Sequence, residues 1–136
     1  VTLFKDASLL PELSPAEAEL LNGYVVQDRK SVEAIRRNLV ALELTDQDYQ
    51  KRIFLNYEFS FDVDQILASF EKPVLIVTGR QDMSVGYRDA WKMLTQFPRA
   101  SFAVLDRAGH YLPTEQNELL HALAAEWLQR VEENLE

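Results

Sequence analysis

Cysteine is absent from the 136 residues, which removes disulfides, thiolate metal sites and a cysteine nucleophile. No apolar run approaches the ~20 residues that a membrane span requires. No basic-then-apolar leader opens the chain either, so a cytoplasmic protein is the expectation. Positive charge is scarce: 14 Lys and Arg stand against 22 Asp and Glu, for a formal net charge of −8. Phosphate neutralisation needs clustered cations, and the densest group here is "IRR" at 35–37. Nucleic acid and anionic membrane surfaces are therefore excluded as expected partners. Histidine occurs only at His110 and His121, and glycine only at 23, 79, 86 and 109. No Gly-x-Ser-x-Gly turn can be built from that set.

What remains is an ordinary globular composition, 47% hydrophobic and 26% charged. The length suits one domain or a large piece of a bigger one. Val1 in place of methionine fits a trimmed chain or an excised piece.

Two regions differ in periodicity. Residues 1–70 read as helices. "SPAE" at 14–17 carries Ser14 as N-cap, Pro15 at the first helical position and Glu17 where a capping box places it. Leu20, Leu21, Tyr24 and Val25 then share a face. Val32, Ile35, Leu39 and Leu42 mark a second helix. "TDQD" at 45–48 opens a third, with Tyr49, Ile53 and Tyr57 in register, and a further turn resumes at Asp64 before Pro73. From Pro73 the pattern changes. "PVLIVTG" is a short β-branched run between proline and glycine, as in a parallel strand buried on both faces. Tyr87, Ala90, Trp91 and Leu94 form a helix face closed by "FPRA". "SFAVL" at 101–105 is a second strand, and "TEQNELLHALAAEWLQRV" a last helix. Strand, helix, strand, helix is a βαβ unit with one covering helix.

Two parallel strands alone make a poor sheet, and 74–78 carries no charge to guard an exposed edge. Its expected neighbour is a second copy of this chain or polypeptide absent from it.

Reactive groups in open parallel sheets gather at the carboxyl ends of strands. Asp82, in "GRQD", follows the first strand, and His110, in "RAGH", follows the second. One helix and one strand separate them, so their loops are expected side by side. A carboxylate beside an imidazole fixes its tautomer and stabilises the imidazolium, the acid's task in a nucleophile–His–acid triad.

"KPVLIVTGRQD", followed after a helix by "FAVLDRAGHYLPTEQNELLHALAAEWL", resembles the C-terminal end of an α/β-hydrolase over residues 73–131. The family's chain order is Ser, then Asp or Glu, then His. The resemblance therefore implies that Asp82 is the catalytic acid and His110 the catalytic base. Residues 1–70 resemble, more loosely, the helical cap that many members insert before the acid-bearing strand. The implied fold class is α/β: a partial α/β-hydrolase fold of two parallel strands with covering helices, plus an N-terminal helical cap. Residues 1–70 would form the cap-like region and 71–136 the βαβα part of the core. The implied chemistry is hydrolysis of a small-molecule, ester-like substrate through a covalent serine intermediate, with no cofactor and no metal. Esterases, lactonases, peptidases and other hydrolases share this pattern, so it implies a reaction class rather than one substrate.

The departure is upstream. The nucleophile elbow and the oxyanion hole it helps to build are absent, so this chain by itself is expected to be inactive. "DMSVG" at 82–86 holds half an elbow, Ser84 with Gly86, but Asp82 replaces the first glycine.

Simpler roles stand beside these. His110 could be a turn histidine, and Asp82 could hold a turn or cap the following helix. Asp106 is the second choice for the acid. His121 reads as a surface residue. "DVD" at 62–64 is poor metal-ligand material, with Asp64 better placed as a cap. Glu115, after Pro113, suits the positive end of the last helix. Tyr49, Phe54, Tyr57, Phe59 and Phe61 could line a pocket, though helix packing explains most of them. Of another class is a binding or assembly module that keeps the hydrolase framework without its chemistry.

Overall fold

A computed structural model describes residues 1–43, 46–62 and 70–135, with the backbone alone for 41–43. The helical turn expected from Asp64, the side chain of Leu42 and Thr45 lie outside the described residues.

Among the described residues four strands form two parallel pairs: β1 (Phe4–Lys5) with β2 (Val26–Gln27), and β3 (Val74–Gly79) with β4 (Ala100–Leu105). β3 and β4 match the two runs expected as strands, in the register Val74↔Ala100 to Gly79↔Leu105. Between them lie α4 (Arg88–Lys92) and a 3₁₀ turn (Met93–Gln96). After β4 come a single turn, α5 (Leu112–Glu115), and the long α6 (Asn117–Glu133). The indole N–H of Trp127 on α6 donates to the Pro73 carbonyl at 3.0 Å, fastening the helix at the start of β3.

The N-terminal region is less purely helical than its sequence suggests. A 3₁₀ segment (Ala7–Glu12) leads into α1 (Pro15–Leu21), and α2 (Arg29–Glu43) and α3 (Gln47–Leu55) follow. The capping box forms as read: the Ser14 hydroxyl accepts from the Glu17 N–H, and Glu17 Oε2 accepts from the Ser14 N–H at 2.6 Å. The helical face assigned through Val25 stops at Leu21, because the chain turns at Asn22–Gly23 and then extends into β2. Tyr24 and Val25 are buried all the same, with Tyr24 packed among Leu9, Leu21, Val32 and Ile35. These residues form a buried apolar cluster, and Tyr111 from the C-terminal half packs against it.

By contrast, Val74–Thr78 and Ala100–Leu105 are only half-buried throughout, and α6 buries no residue fully. Strands this apolar normally lie covered on both faces. Among the described residues β3 has β4 as its one neighbour. The aromatics Tyr49, Phe54, Tyr57, Phe59 and Phe61 are all exposed. Packing among the described residues therefore does not bury them.

Glu17 also ties α1 to α2, pairing with Arg36 Nε at 2.6 Å. The Arg36 hydrogen bond, followed by those from Ser14, brings its carboxyl down from the ordinary 4.5 to about 2. A depressed native pKa stabilises the fold while the carboxyl is ionised in both states, and this contribution drains as protons bind the unfolded chain first. Glu17 should thus support the fold fully above pH 4.5 and lose its effect progressively down to about 2. Thermal unfolding followed across that window should show a steeper loss in the wild type than in Glu17→Gln.

Candidate active site

Asp82 and His110 meet above the carboxyl ends of β3 and β4. His110 Nδ1 lies 3.3 Å from Asp82 Oδ2. That is long for a charge-assisted hydrogen bond, as such pairs often are without substrate. The Asp82 side chain is 9% exposed and that of His110 57%. The carboxylate is thus sheltered while much of the imidazole faces solvent. With Nδ1 turned to the carboxylate, Nε2 on the opposite edge of the ring is left for a reacting group.

Local forces place both residues. Asp82 Oδ1 accepts from the Ser84 N–H at 2.8 Å and the Val85 N–H at 3.2 Å, which folds the loop back and leaves Oδ2 for His110. The turn-holding role and the pairing with His110 therefore coexist on separate oxygens. Capping of α4 does not occur: its N-cap position is Tyr87, with no side-chain cap bond. Burial alone pushes the Asp82 pKa up; the Ser84 and Val85 N–H groups, with His110, outweigh it and hold the carboxyl below its usual value. Asp82 is thus an anion near neutral pH, as the partner of an imidazolium must be.

The His110 loop lies directly over the end of β3. The Arg80 N–H donates to Leu105 O at 2.8 Å and the Gln81 N–H to Ala108 O at 2.9 Å. The Gln81 side chain bridges the loops as well, donating to Asp106 Oδ1 at 2.6 Å and accepting from the Ala108 N–H at 3.2 Å. Arg107 takes a left-handed conformation, φ 56°, which reverses the chain after β4. Gly79 makes the closeness possible, since a Cβ there would sit 2.5 Å from both Ala108 O and Gly109 O.

Other residues considered from sequence fall elsewhere. Asp106 is engaged by the Gln81 side chain, and among the described residues no hydrogen bond joins it to His110. Ser84 lines a cleft with His110, but among the described residues no hydrogen bond joins its hydroxyl to the imidazole. His121 is exposed and contacts Asn117 Oδ1 at 3.1 Å. No group of three or more His, Asp or Glu suited to a metal occurs among the described residues. No helix there is long and apolar enough to cross a membrane.

Glu115 also borders the site, a place that its position after Pro113 does not indicate. It lies in α5, and its carboxylate reaches outward: Oε2 accepts from the Gly109 N–H at 2.6 Å, and Oε1 from the N–H groups of Val25 and Val26 at 2.5 and 3.2 Å. Two of its three partners, the Val25 and Val26 amides, are remote in sequence, which residue identity does not reveal.

Two clefts of about 330 Å³ each border His110. One runs along the N-terminal layer past Gly23, Tyr24, Gln81 and Tyr111. The other, lined by Val77, Thr78, Val85, Leu112 and Leu120, adjoins the end of β3 and takes in Asp82.

No family model matches the chain, and no curated protein matches it. Among solved structures it is similar to the crystal structure of a "putative lipase" from Acinetobacter baumannii AYE, with a TM-score of 0.61 and 20% identity. The superposition covers 98% of this chain and 49% of the other, so the chain spans about half the length of that structure. At this identity the likeness carries the fold alone: the chain has a partial α/β fold, with two small parallel sheets and flanking helices among the described residues, matching part of that structure.

Proposed function

We propose that residues 1–136 are the C-terminal portion of a serine-nucleophile α/β-hydrolase acting on a small-molecule, ester-like substrate, with 1–70 as a cap-like region and 71–136 as part of the core. The observation that carries this reading is the Asp82–His110 pair, 3.3 Å apart above the ends of parallel strands. The half-length match to a lipase structure and the uncovered β3–β4 sheet support it.

In the completed hydrolase, polypeptide outside these residues supplies the serine and the oxyanion donors. His110 Nε2 takes the serine proton as the hydroxyl attacks the ester carbonyl, and Asp82 holds Nδ1–H and balances the imidazolium. The imidazolium then returns its proton to the departing alcohol. Water, deprotonated by the same nitrogen, frees the acid from the serine. The substrate reaches the serine along a cleft that borders His110, and neither cofactor nor metal takes part.

Triad enzymes that lose one member can keep ~10³–10⁴-fold catalysis over water through the oxyanion hole and binding. This chain has neither the nucleophile nor the hole, so by itself it should leave aryl esters intact. Joined to the polypeptide encoded upstream, it should hydrolyse them, and a serine-directed fluorophosphonate should label a serine outside residues 1–136. Hydrolysis by this chain alone, or a label on Ser84, would overturn the reading.

A second reading, an assembly module in which a second copy pairs with β3, draws on the same uncovered strand and on the exposed aromatics around α3. A stable homo-oligomer in light scattering would favour it.

A further inference from the structure

We propose that Glu115 is the positioning residue for His110, clamping its loop to the N-terminal layer; the inference rests on His110 being the base of the reaction above. Three backbone N–H groups from two distant segments converge on this one carboxylate: Gly109, immediately before His110, and Val25 and Val26, in and beside β2. The residue on the other side of His110 is held to the same layer. Tyr111 stacks on Tyr24 with ring centroids 4.0 Å apart and planes 3° from parallel. Gly109 fits so tightly that a Cβ there would lie 2.8 Å from Val25 Cγ2. Both neighbours of His110 are therefore fixed to residues 24–26, whereas its ring has one long polar contact, to Asp82, and an edge-on contact with the Tyr111 ring.

The chemistry selects a carboxylate. Three donors need two acceptor oxygens, and hydrogen bonds to a charged acceptor are stronger than neutral ones. Glutamine keeps one oxygen and turns an amide N–H₂ toward donors, so it satisfies one side of the clamp alone. Alanine removes both. Without the clamp the Gly109 amide is free to drift, and the imidazole loses its fixed distance to Asp82. A structural brace would affect stability only; a positioning residue also sets the state of the ring.

That state is readable in this chain without turnover. Nitrogen-15 shifts of the His110 ring, taken at a pH where the ring is neutral, report which nitrogen holds the proton. Asp82 as acceptor should give the wild type an excess of the Nδ1–H tautomer. Glu115→Ala should lose that excess, as should Asp82→Asn, and Glu115→Gln should fall between. The amides of Val25, Val26 and Gly109 should exchange roughly ten- to a hundred-fold faster in Glu115→Ala. Circular dichroism identifies a variant that does not fold, and Glu115→Gln then carries the test. Retention of the full Nδ1–H excess in the folded variants, or its absence from the wild type, would overturn the proposal. A completed protein without ester hydrolysis would instead count against the hydrolase reading, leaving this readout intact.

Discussion

Asp82→Asn should slow the proposed hydrolase, once completed, by about 10⁴-fold in kcat, with a much smaller change in KM. The expectation follows from the division of labour between the two carboxylate oxygens. Oδ1 holds the Ser84 and Val85 N–H groups, a task the asparagine carbonyl can inherit, so the loop should keep its shape. Oδ2 faces His110 Nδ1, and there an N–H₂ would replace an acceptor. The ring would then turn Nδ1 into the acceptor and carry its proton on Nε2, the nitrogen that must receive the proton of the serine. A base in the wrong tautomer is a poor base, and the loss appears in the chemical step rather than in binding. Circular dichroism should be unchanged. A loss in KM alone, with kcat preserved, would mean that Asp82 serves substrate binding instead.

The second large effect is expected from a single methyl group. In Gly79→Ala the new Cβ would lie 2.5 Å from the carbonyl oxygens of Ala108 and Gly109. Both belong to the backbone, so no side-chain rotation relieves the clash, and the 108–109 segment must move. The Gln81–Ala108 hydrogen bond of 2.9 Å lies in its path. Overpacking of this kind costs about 1–3 kcal/mol, which should lower the melting temperature by several degrees. Activity should suffer more, because His110 rides on the displaced segment while Asp82 does not. Thermal unfolding and ester hydrolysis measured on the same preparation separate the two effects. A Gly79→Ala protein with wild-type turnover would show that the loop has slack that the geometry does not indicate.

How far the sequence carried these conclusions depended on the range of the forces involved. Local signals read well. The capping box of Ser14 and Glu17 is written in four consecutive residues and formed as written. The β-branched run at 74–78 and its partner at 101–105 became a parallel pair, since β-branched and aromatic side chains suit a pleated, half-buried surface. Asp82 and His110 met because both follow strands that pair, so that one topological inference placed two side chains.

What remained hidden was held by distant partners. Tyr24 and Val25 continue an apolar spacing that suits a helix, yet the turn at Asn22–Gly23 and the Glu115 carboxylate draw them into an extended segment. The two-residue strands β1 and β2 are too short for any pattern to mark. Glu115 itself was assigned to the positive end of the last helix by its position after Pro113. Its oxygens instead accept from backbone amides up to 90 residues away. The aromatics around α3 have the spacing of core residues but stay exposed, for a pattern states that a face is apolar without naming what covers it.

In the proposed reaction Asp82 and His110 work as one unit, and a double-variant cycle in kcat tests that most directly. Groups acting together in one proton transfer are strongly non-additive when removed. In the proposed hydrolase, once completed, Asp82→Asn combined with His110→Ala should therefore be no slower than His110→Ala alone. If the two losses multiplied instead, each residue would be acting without the other, and the pairing above the sheet would have no catalytic meaning.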